Sequence, residues 1–396
     1  MGLRVAHVAN EAFGVDSANG VQHVVHWLAL AQADLGESVA VFTRDDRGMR
    51  VFGPDVASIS DAREPSRSLT DKTIRQRLLA RYFDPGMAQD ILAWRPDVVH
   101  FHSVHDPQNI ALAGQLGGAG IPYCVTIHGG LFPAALQRRA LKKAIFNLLF
   151  ERRYLNDAHL IQALSQREAE IIERHGVNGP IVVVPNGLPP DSRLPPTHAD
   201  ALYVKHPWLR NRRVFMFIGR LDAWQKGLDL VVKAFAQASL PDSALVLVGP
   251  DYRGSQNALR LLANRLGVLP QLIFMAPAFG EHRANLLAAA DVFIHPSRWE
   301  GMSLSVLAAS AAGKPCLITR DADPLGELER AHAALIVEAT VTSVAAGLIQ
   351  ACCLSREDLQ AMGARALRVA EAHFTWPSIA TRMGDAYRRA IRAERP

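Results

Sequence analysis

Cysteine is scarce in this 396-residue chain, with Cys124, Cys316, Cys352 and Cys353 the only four. Two lie in apolar, strand-like runs and two are sequence neighbours, so neither a disulfide framework nor metal-ligand spacing is present, and a reducing compartment fits. No uncharged apolar run reaches the about 18 residues that a membrane-spanning helix needs. The segment Met1 to Ala9 places Arg4 before only five uncharged residues, too few for the core of a secretory signal. A cytoplasmic location is expected on these grounds. Low-complexity tracts are absent, and so is the P-loop pattern, which leaves ATP chemistry of that type unsupported. Stacking aromatics do not interleave with the basic residues on one sheet face, which argues against nucleic acid as a partner.

What remains is the composition of a globular protein, 49% hydrophobic and 20% charged, with a net charge of +5. A positive balance suits nucleic acid, anionic lipid or small anionic ligands, and only its distribution separates them. The length favours two domains.

Short apolar runs alternate with amphipathic stretches through the first 185 or so residues. Strands are expected at Leu3–Ala9, Ser38–Thr43, Asp97–Phe101, Tyr123–Ile127, His159–Leu164 and Ile181–Val184, with a helix at Val21–Leu35 stopped by Gly36. Residues 188–210 carry five prolines (Pro189, Pro190, Pro195, Pro196, Pro207) and read as a linker with neither helix nor central strand. A second series of strands then begins at Val214–Ile218 and continues through Ala244–Val248, Leu272–Met275, Val292–His295, Cys316–Thr319 and Ala334–Val337. The fold class is α/β, two Rossmann-like doubly wound domains (1–187 and 211–374) facing each other across a cleft. Two helical stretches close the chain, Arg356–Ala372 and Ser378–Ala393, with Pro377 marking a break between them.

Ligands of such sheets bind beyond the carboxyl ends of the strands, where helix N-termini aim amides at anions. After the strand ending at Ile218 comes "GRLDAWQKGLDLVVKAF", which places Arg220 and Lys226 on a glycine-punctuated loop entering a helix. Two fixed cations there suit a diphosphate, whose charge grows as it departs; the alternative is a basic surface turn. After the strand ending at His295 comes "PSRWEGMSLSVLAASAAGKP". Ser303 is placed to cap a helix starting near Leu304, so Gly301, Met302, Ser303 and Leu304 form the stretch offering amides to a phosphate. Glu300 precedes that cap. A carboxylate beside a phosphate is repelled by it and should turn to a hydroxyl-rich group such as a sugar.

Four further features stay open at this level. Gly14 and Gly20 punctuate the loop after the first strand, a weak anion-binding signal. His128, followed by Gly129 and Gly130, ends a strand where a substrate can touch it, though a buried and satisfied histidine reads equally well. His100, His102 and His105 cluster after another strand, yet no carboxylate or cysteine is spaced to complete a ligand set, so no metal is expected. Residues 136–154, "LQRRALKKAIFNLLFERRY", read as a helix with Arg138, Arg139, Lys142, Lys143, Arg152 and Arg153 around an apolar stripe. Such a helix suits an anionic membrane surface; the alternative packs the stripe on the sheet with the charges in water.

"FIGRLDAWQKGLDLVVKAFA", "VVPNGL" and "AADVFIHPSRWEGMSLSVLAASAAGKPCLIT" together resemble the retaining GT-B glycosyltransferases of family 4. The resemblance covers nearly the whole chain, including a final helix, 377–396, that crosses back to the first domain. It implies sugar transfer from a UDP- or GDP-sugar to a glycan or lipid-linked acceptor, as in bacterial polysaccharide or lipopolysaccharide assembly. By the same resemblance Arg220 and Lys226 hold the diphosphate with no metal ion, Glu300 serves the donor sugar, His128 lies near the reaction centre and Gly20 near the phosphate. One position departs. The family carries a second glutamate, which binds ribose, where this chain has Ala308, and a methyl group accepts no hydrogen bond. A nucleotide-sugar epimerase or a catalytically silent partner subunit of the same fold are the alternatives.

Overall fold

Two parallel sheets organise the chain, each grown outward from its own first strand. In this computed structural model, residues 2–9, 20–43, 49–52, 60–62, 85–137, 140–323 and 325–392 are described. The chain divides into two units, Met1–Gly187 with Trp376–Pro396, and Leu188–Thr375.

The first unit holds β1 (Arg4–Ala9), β2 (Ser38–Thr43), β3 (Met49–Phe52), β4 (Ser60–Ala62), β5 (Val98–His102), β6 (Tyr123–Thr126), β7 (Leu160–Ala163) and β8 (Ile181–Val183). Their order across the sheet is β4-β3-β2-β1-β5-β6-β7-β8. All pairs are parallel except β2 with β3 and β3 with β4. The antiparallel edge was not foreseen, because its two strands are short and lack an apolar run.

The second unit holds β9 (Arg213–Ile218), β10 (Ser243–Val248), β11 (Leu272–Met275), β12 (Val292–His295), β13 (Cys316–Thr319) and β14 (Ala334–Val337), ordered β11-β10-β9-β12-β13-β14 and parallel throughout. Near-continuous apolar strands such as "RVFMFI" fit a sheet covered on both faces. Phe215, Phe217, Leu245, Leu247 and Leu317 are fully buried and pack with Val231, Phe235 and Leu348 from its helices. The strand order reverses between β9 and β12, which are neighbours, with Val292 opposite Phe215 and Phe293 opposite Met216. The loops leaving those two strands therefore emerge side by side, at the position where open α/β sheets bind ligands.

One proline reading needs correction. Residues 188–210 are not devoid of structure, because they hold tight turns at Pro190–Arg193 and Pro207–Leu209 and a short helix at Ala201–Lys205, and they belong to the second unit. The break expected at Pro377 is present, between the helices Arg356–His373 and Trp376–Arg392. Pro377 sits in the first turn of the second of these, where a missing backbone N–H costs nothing. That last helix lies in the first unit, where Tyr387 donates its hydroxyl proton toward His100 Nδ1 at 2.7 Å and Arg388 pairs with Glu37.

The segment expected as one helix over 136–154 is helical on either side of residues 138–139, and continuously so from Ala140 to Asn156. It runs as Pro133–Gln137, Ala140–Phe146, a π-helical turn at Asn147–Glu151 and Arg152–Asn156, while Arg138 and Arg139 lie outside the described residues. Its apolar side chains do not pack on the sheet. Leu141 is 77% exposed and Leu148 72%, with Ile145, Leu149 and Phe150 also exposed.

Candidate functional site

In the second unit the loop after β9 and the loop after β12 lock together before any functional group is placed. Gly227 caps the helix Leu228–Ala238 in the left-handed region at φ 67°, and a Cβ there would meet the Pro296 carbonyl oxygen at 2.1 Å. Only glycine lets the two loops approach so closely. Arg298 then clamps them, with Nη1 and Nη2 donating to the two oxygens of Asp229 at 2.7 and 2.9 Å. Trp224 and Trp299 pack edge to face across the same seam, ring centres 4.8 Å apart. Gly249, after β10, is a second close approach, since a Cβ there would fall 1.8 Å from the Gly219 carbonyl oxygen.

This seam brings Lys226 against Glu300. Lys226 Nζ donates to Glu300 Oε1 at 2.6 Å, and the carboxylate is 6% exposed. Ser297 Oγ donates to the same oxygen at 2.6 Å and His295 Nε2 lies 3.1 Å from it. Burial pushes the Glu300 carboxyl up, but the charge of Lys226 and the hydrogen bond from His295 overcome this and hold it well below the ordinary carboxylate range. Glu300 is ionised at neutral pH. All three contacts converge on Oε1, and Oε2 carries no hydrogen bond among the described residues.

His295, at the end of β12, is stacked between Phe217 and Phe293 with interplanar angles of 16° and 13°. Burial lowers its pKa despite the neighbouring carboxylate. Its Nε2 also meets Ser303 Oγ at 3.1 Å, and Ser303 caps the helix Leu304–Ala311 by accepting from Val306 N–H. Glu300, His295 and the helix cap thus form one bonded set. The preceding residues Gly301 and Met302 lead into that cap, and Leu304 is the first residue of the helix. Arg220 stands at the exposed rim, its guanidinium 4.5 Å above the Tyr252 ring and bonded to Gln225 Oε1 at 2.9 Å. Ala308 is buried in the same helix at 1% exposure and offers no polar side-chain atom.

Gly20 and His128 belong to the first unit. Gly20 opens the helix Gly20–Asp34; the loop before it, with Gly14, lies outside the described residues. His128 follows β6 in the left-handed region at φ 52°, with Gly129 next at φ 76°. A non-glycine residue held there stores backbone strain of about 1–3 kcal/mol. The buried carboxylate of Glu168 braces the turn by accepting from Gly129 N–H and Leu164 N–H, each at 2.6 Å. His128 Nε2 lies 3.1 Å from His102 Nδ1.

Sequence reasoning passed over His295, Ser297, Asp229, Arg298 and Tyr252 in the second unit, and His7, Gln32 and Glu168 in the first. A polar residue inside an apolar strand, such as His7 in "RVAHVA" or His295 in "VFIH", was the available signal. The sequence cluster His100, His102 and His105, from which no metal site was expected, does not assemble as a trio. His7 replaces His105, and the ligand atoms of His7, His100 and His102 lie within 4.8 Å of one another. Each ring nitrogen of these three faces a hydrogen-bond partner.

The two units match two family models in chain order. Residues 19–187 match the glycosyl transferase 4-like domain and residues 212–353 the glycosyl transferases group 1 model. The Escherichia coli UDP-Gal:alpha-D-GlcNAc-diphosphoundecaprenol alpha-1,3-galactosyltransferase is 31% identical over 240 residues, 56% of this chain and 57% of that protein. The D-inositol 3-phosphate glycosyltransferase of Rhodococcus opacus is 26% identical over 398 residues, covering 95% of this chain and 87% of the other. Sucrose-phosphate synthase from Thermosynechococcus elongatus superposes with a TM-score of 0.76 at 19% identity, over 99% of this chain and 100% of that one. The fold is the GT-B type, two Rossmann-like units in series. Matched in both units, the chain belongs to the glycosyltransferases of group 1 type, enzymes that transfer sugar from a nucleotide donor.

Proposed function

We propose that this enzyme moves a hexose-type sugar from a UDP- or GDP-sugar to a glycan or lipid-linked acceptor, with retention of configuration and without a metal ion. The observation that carries the reading is the Lys226–Glu300 pair at the strand-order reversal, with Glu300 ionised and its Oε2 available to accept from a sugar hydroxyl. Lys226 and Arg220 supply fixed positive charge for the diphosphate, the role a metal would otherwise fill. The amides of the Ser303-capped helix add to it. As the bond to the anomeric carbon breaks, charge grows on the departing phosphate, and the acceptor attacks from the face it leaves. The departing phosphate oxygen takes the acceptor's proton. For His128, in the first unit, the family resemblance implies a part in the reaction.

A lipid-linked acceptor fits the diphosphoundecaprenol-linked substrate named for the Escherichia coli relative, and a role in surface polysaccharide or lipopolysaccharide assembly follows from it. Residues 136–154 are the membrane-facing segment in this reading. Their exposed Leu141, Ile145, Leu148, Leu149 and Phe150 sit among Lys142, Lys143, Arg152 and Arg153, a pairing suited to an anionic lipid surface at the cytoplasmic face. No helix among the described residues is long and apolar enough to cross a membrane.

The test is transfer from candidate UDP- and GDP-sugars to a polyprenyl-diphosphate-linked sugar in the presence of a chelator, with the product's anomeric configuration read by NMR. Retention with undiminished rate supports the proposal; inversion, or a rate abolished by the chelator, removes it. Donor consumption without acceptor would instead indicate an epimerase. Flotation with anionic liposomes at low salt tests the membrane segment, and absence of binding removes that part.

A further inference from the structure

Three histidines and one amide of the first unit form a continuous line. Gln32 Oε1 lies 2.8 Å from His7 Nε2, His7 Nδ1 is 3.0 Å from His102 Nε2, and His102 Nδ1 is 3.1 Å from His128 Nε2. His7 and His102 are fully buried. Burial lowers the pKa of His7 and His128 to about 4 each and holds that of His102 well below the usual imidazole value, so all three are neutral at pH 7. A neutral imidazole has one N–H and one lone pair. Every link in such a line must therefore point the same way, and whatever fixes one end fixes the other.

The fixed end is Gln32. A neighbouring line settles its orientation. Gln162 Nε2 donates to the Val184 carbonyl at 2.8 Å, so its Oε1 accepts from Thr126 O–H at 2.6 Å. Thr126 Oγ1 then accepts from His100 Nε2–H at 2.6 Å, and His100 Nδ1 accepts the proton of Tyr387 at 2.7 Å. With its proton committed, the Tyr387 oxygen can only accept. Gln32 neighbours Tyr387 and turns its carbonyl Oε1 to His7, which leaves its NH₂, without a regular hydrogen-bond partner among the described residues, as the group on the side of that accepting oxygen.

We infer that Gln32, His7 and His102 are positioning residues that hold His128 as its Nε2–H tautomer, leaving Nδ1 bare to accept from a hydroxyl of the bound sugar. His7 Nε2–H donates to Gln32, His102 Nε2–H to His7 and His128 Nε2–H to His102. His128 Nδ1 makes no hydrogen bond among the described residues. This deepens the reading of His128 as a sugar-facing residue and rests on it for the identity of the ligand, though not for the tautomer.

The test is ¹⁵N NMR of histidine-labelled full-length protein without ligand at pH 7, with the His128 signals identified by their loss in His128→Asn. The expected result is one tautomer, protonated at Nε2 and bare at Nδ1. In Gln32→Met the His7 Nε2–H would lose its acceptor in the interior, where a buried unpaired N–H is disfavoured. The line then reverses, and His128 carries its proton on Nδ1. A cationic His128, an Nδ1–H form in the unaltered protein, or a His128 tautomer indifferent to Gln32→Met overturns the inference. If the tautomer behaves as stated while no nucleotide sugar is used, the functional reading fails and the positioning line stands.

Discussion

Lys226 Nζ lies 2.6 Å from Glu300 Oε1 although 74 residues separate them in the chain. The contact exists because β9 and β12 are neighbours at the point where strand order reverses, and because Gly227 lets their loops touch. Burial alone would push the Glu300 carboxyl up. The ammonium keeps the buried carboxyl ionised, and the carboxylate fixes the ammonium where a diphosphate is expected.

Replacing Lys226 by Met should cost most of the nucleotide affinity. A hydrogen bond to a charged group contributes about 1.5–3 kcal/mol, so Kd for UDP or GDP rises about tenfold to a hundredfold. Thermal shift with the two nucleotides reads this directly, since a ligand bound only to the folded state raises its stability. An unchanged shift in the variant would place the diphosphate elsewhere.

Gly227→Ala should act through geometry alone. It adds no charge and removes none, yet it forces a left-handed alanine, costing about 1–2 kcal/mol, and drives a methyl group against Pro296. The melting temperature falls, and transfer activity falls further than stability because Lys226 is carried away from Glu300. Denaturant unfolding paired with an activity assay separates the two. A variant of reduced stability but full activity would show that the loop seam does not set the pair.

The neutral histidines of the first unit should make the fold sensitive to mild acid. His7 has its pKa lowered from 6.5 to about 4, and His100 and His102 are lowered well below 6.5, all chiefly by burial. Once unfolded, each takes up a proton near pH 6.5, whereas the folded chain does not. Stability is therefore full above pH 6.5 and falls as the pH drops toward the folded values, by about 1.4 kcal/mol per pH unit for each histidine. Urea unfolding at pH 7 and pH 5 checks the slope. Equal stability at the two pH values would mean the rings are charged or exposed.

The parallel strands of both units were legible because a sheet covered on both faces needs apolar runs, and "LIFM", "VFIH", "CLIT" and "ALIV" have the same limits in sequence and structure. Lys226, Glu300 and Ser303 were legible because they follow such strands. The rest depended on partners far away in sequence. Asp229 has the look of an ordinary first-turn acid until Arg298 is found against it, and His7 has no meaning until His102 and Gln32 lie on either side. The prolines of residues 188–210 misled for a local reason. Pro207 stands at the start of a helical turn, where a sequence reading for breaks sees only an interruption.

The most direct test of the account is sugar transfer by Glu300→Gln, a substitution that keeps shape and removes charge. With UDP- and GDP-sugars and a polyprenyl-diphosphate-linked acceptor, the account predicts a kcat lowered about 10²–10³-fold, as for loss of one preorganised electrostatic contact at a reacting centre, in a protein whose circular dichroism is unchanged. A folded Glu300→Gln variant that transfers sugar at the unaltered rate would contradict it.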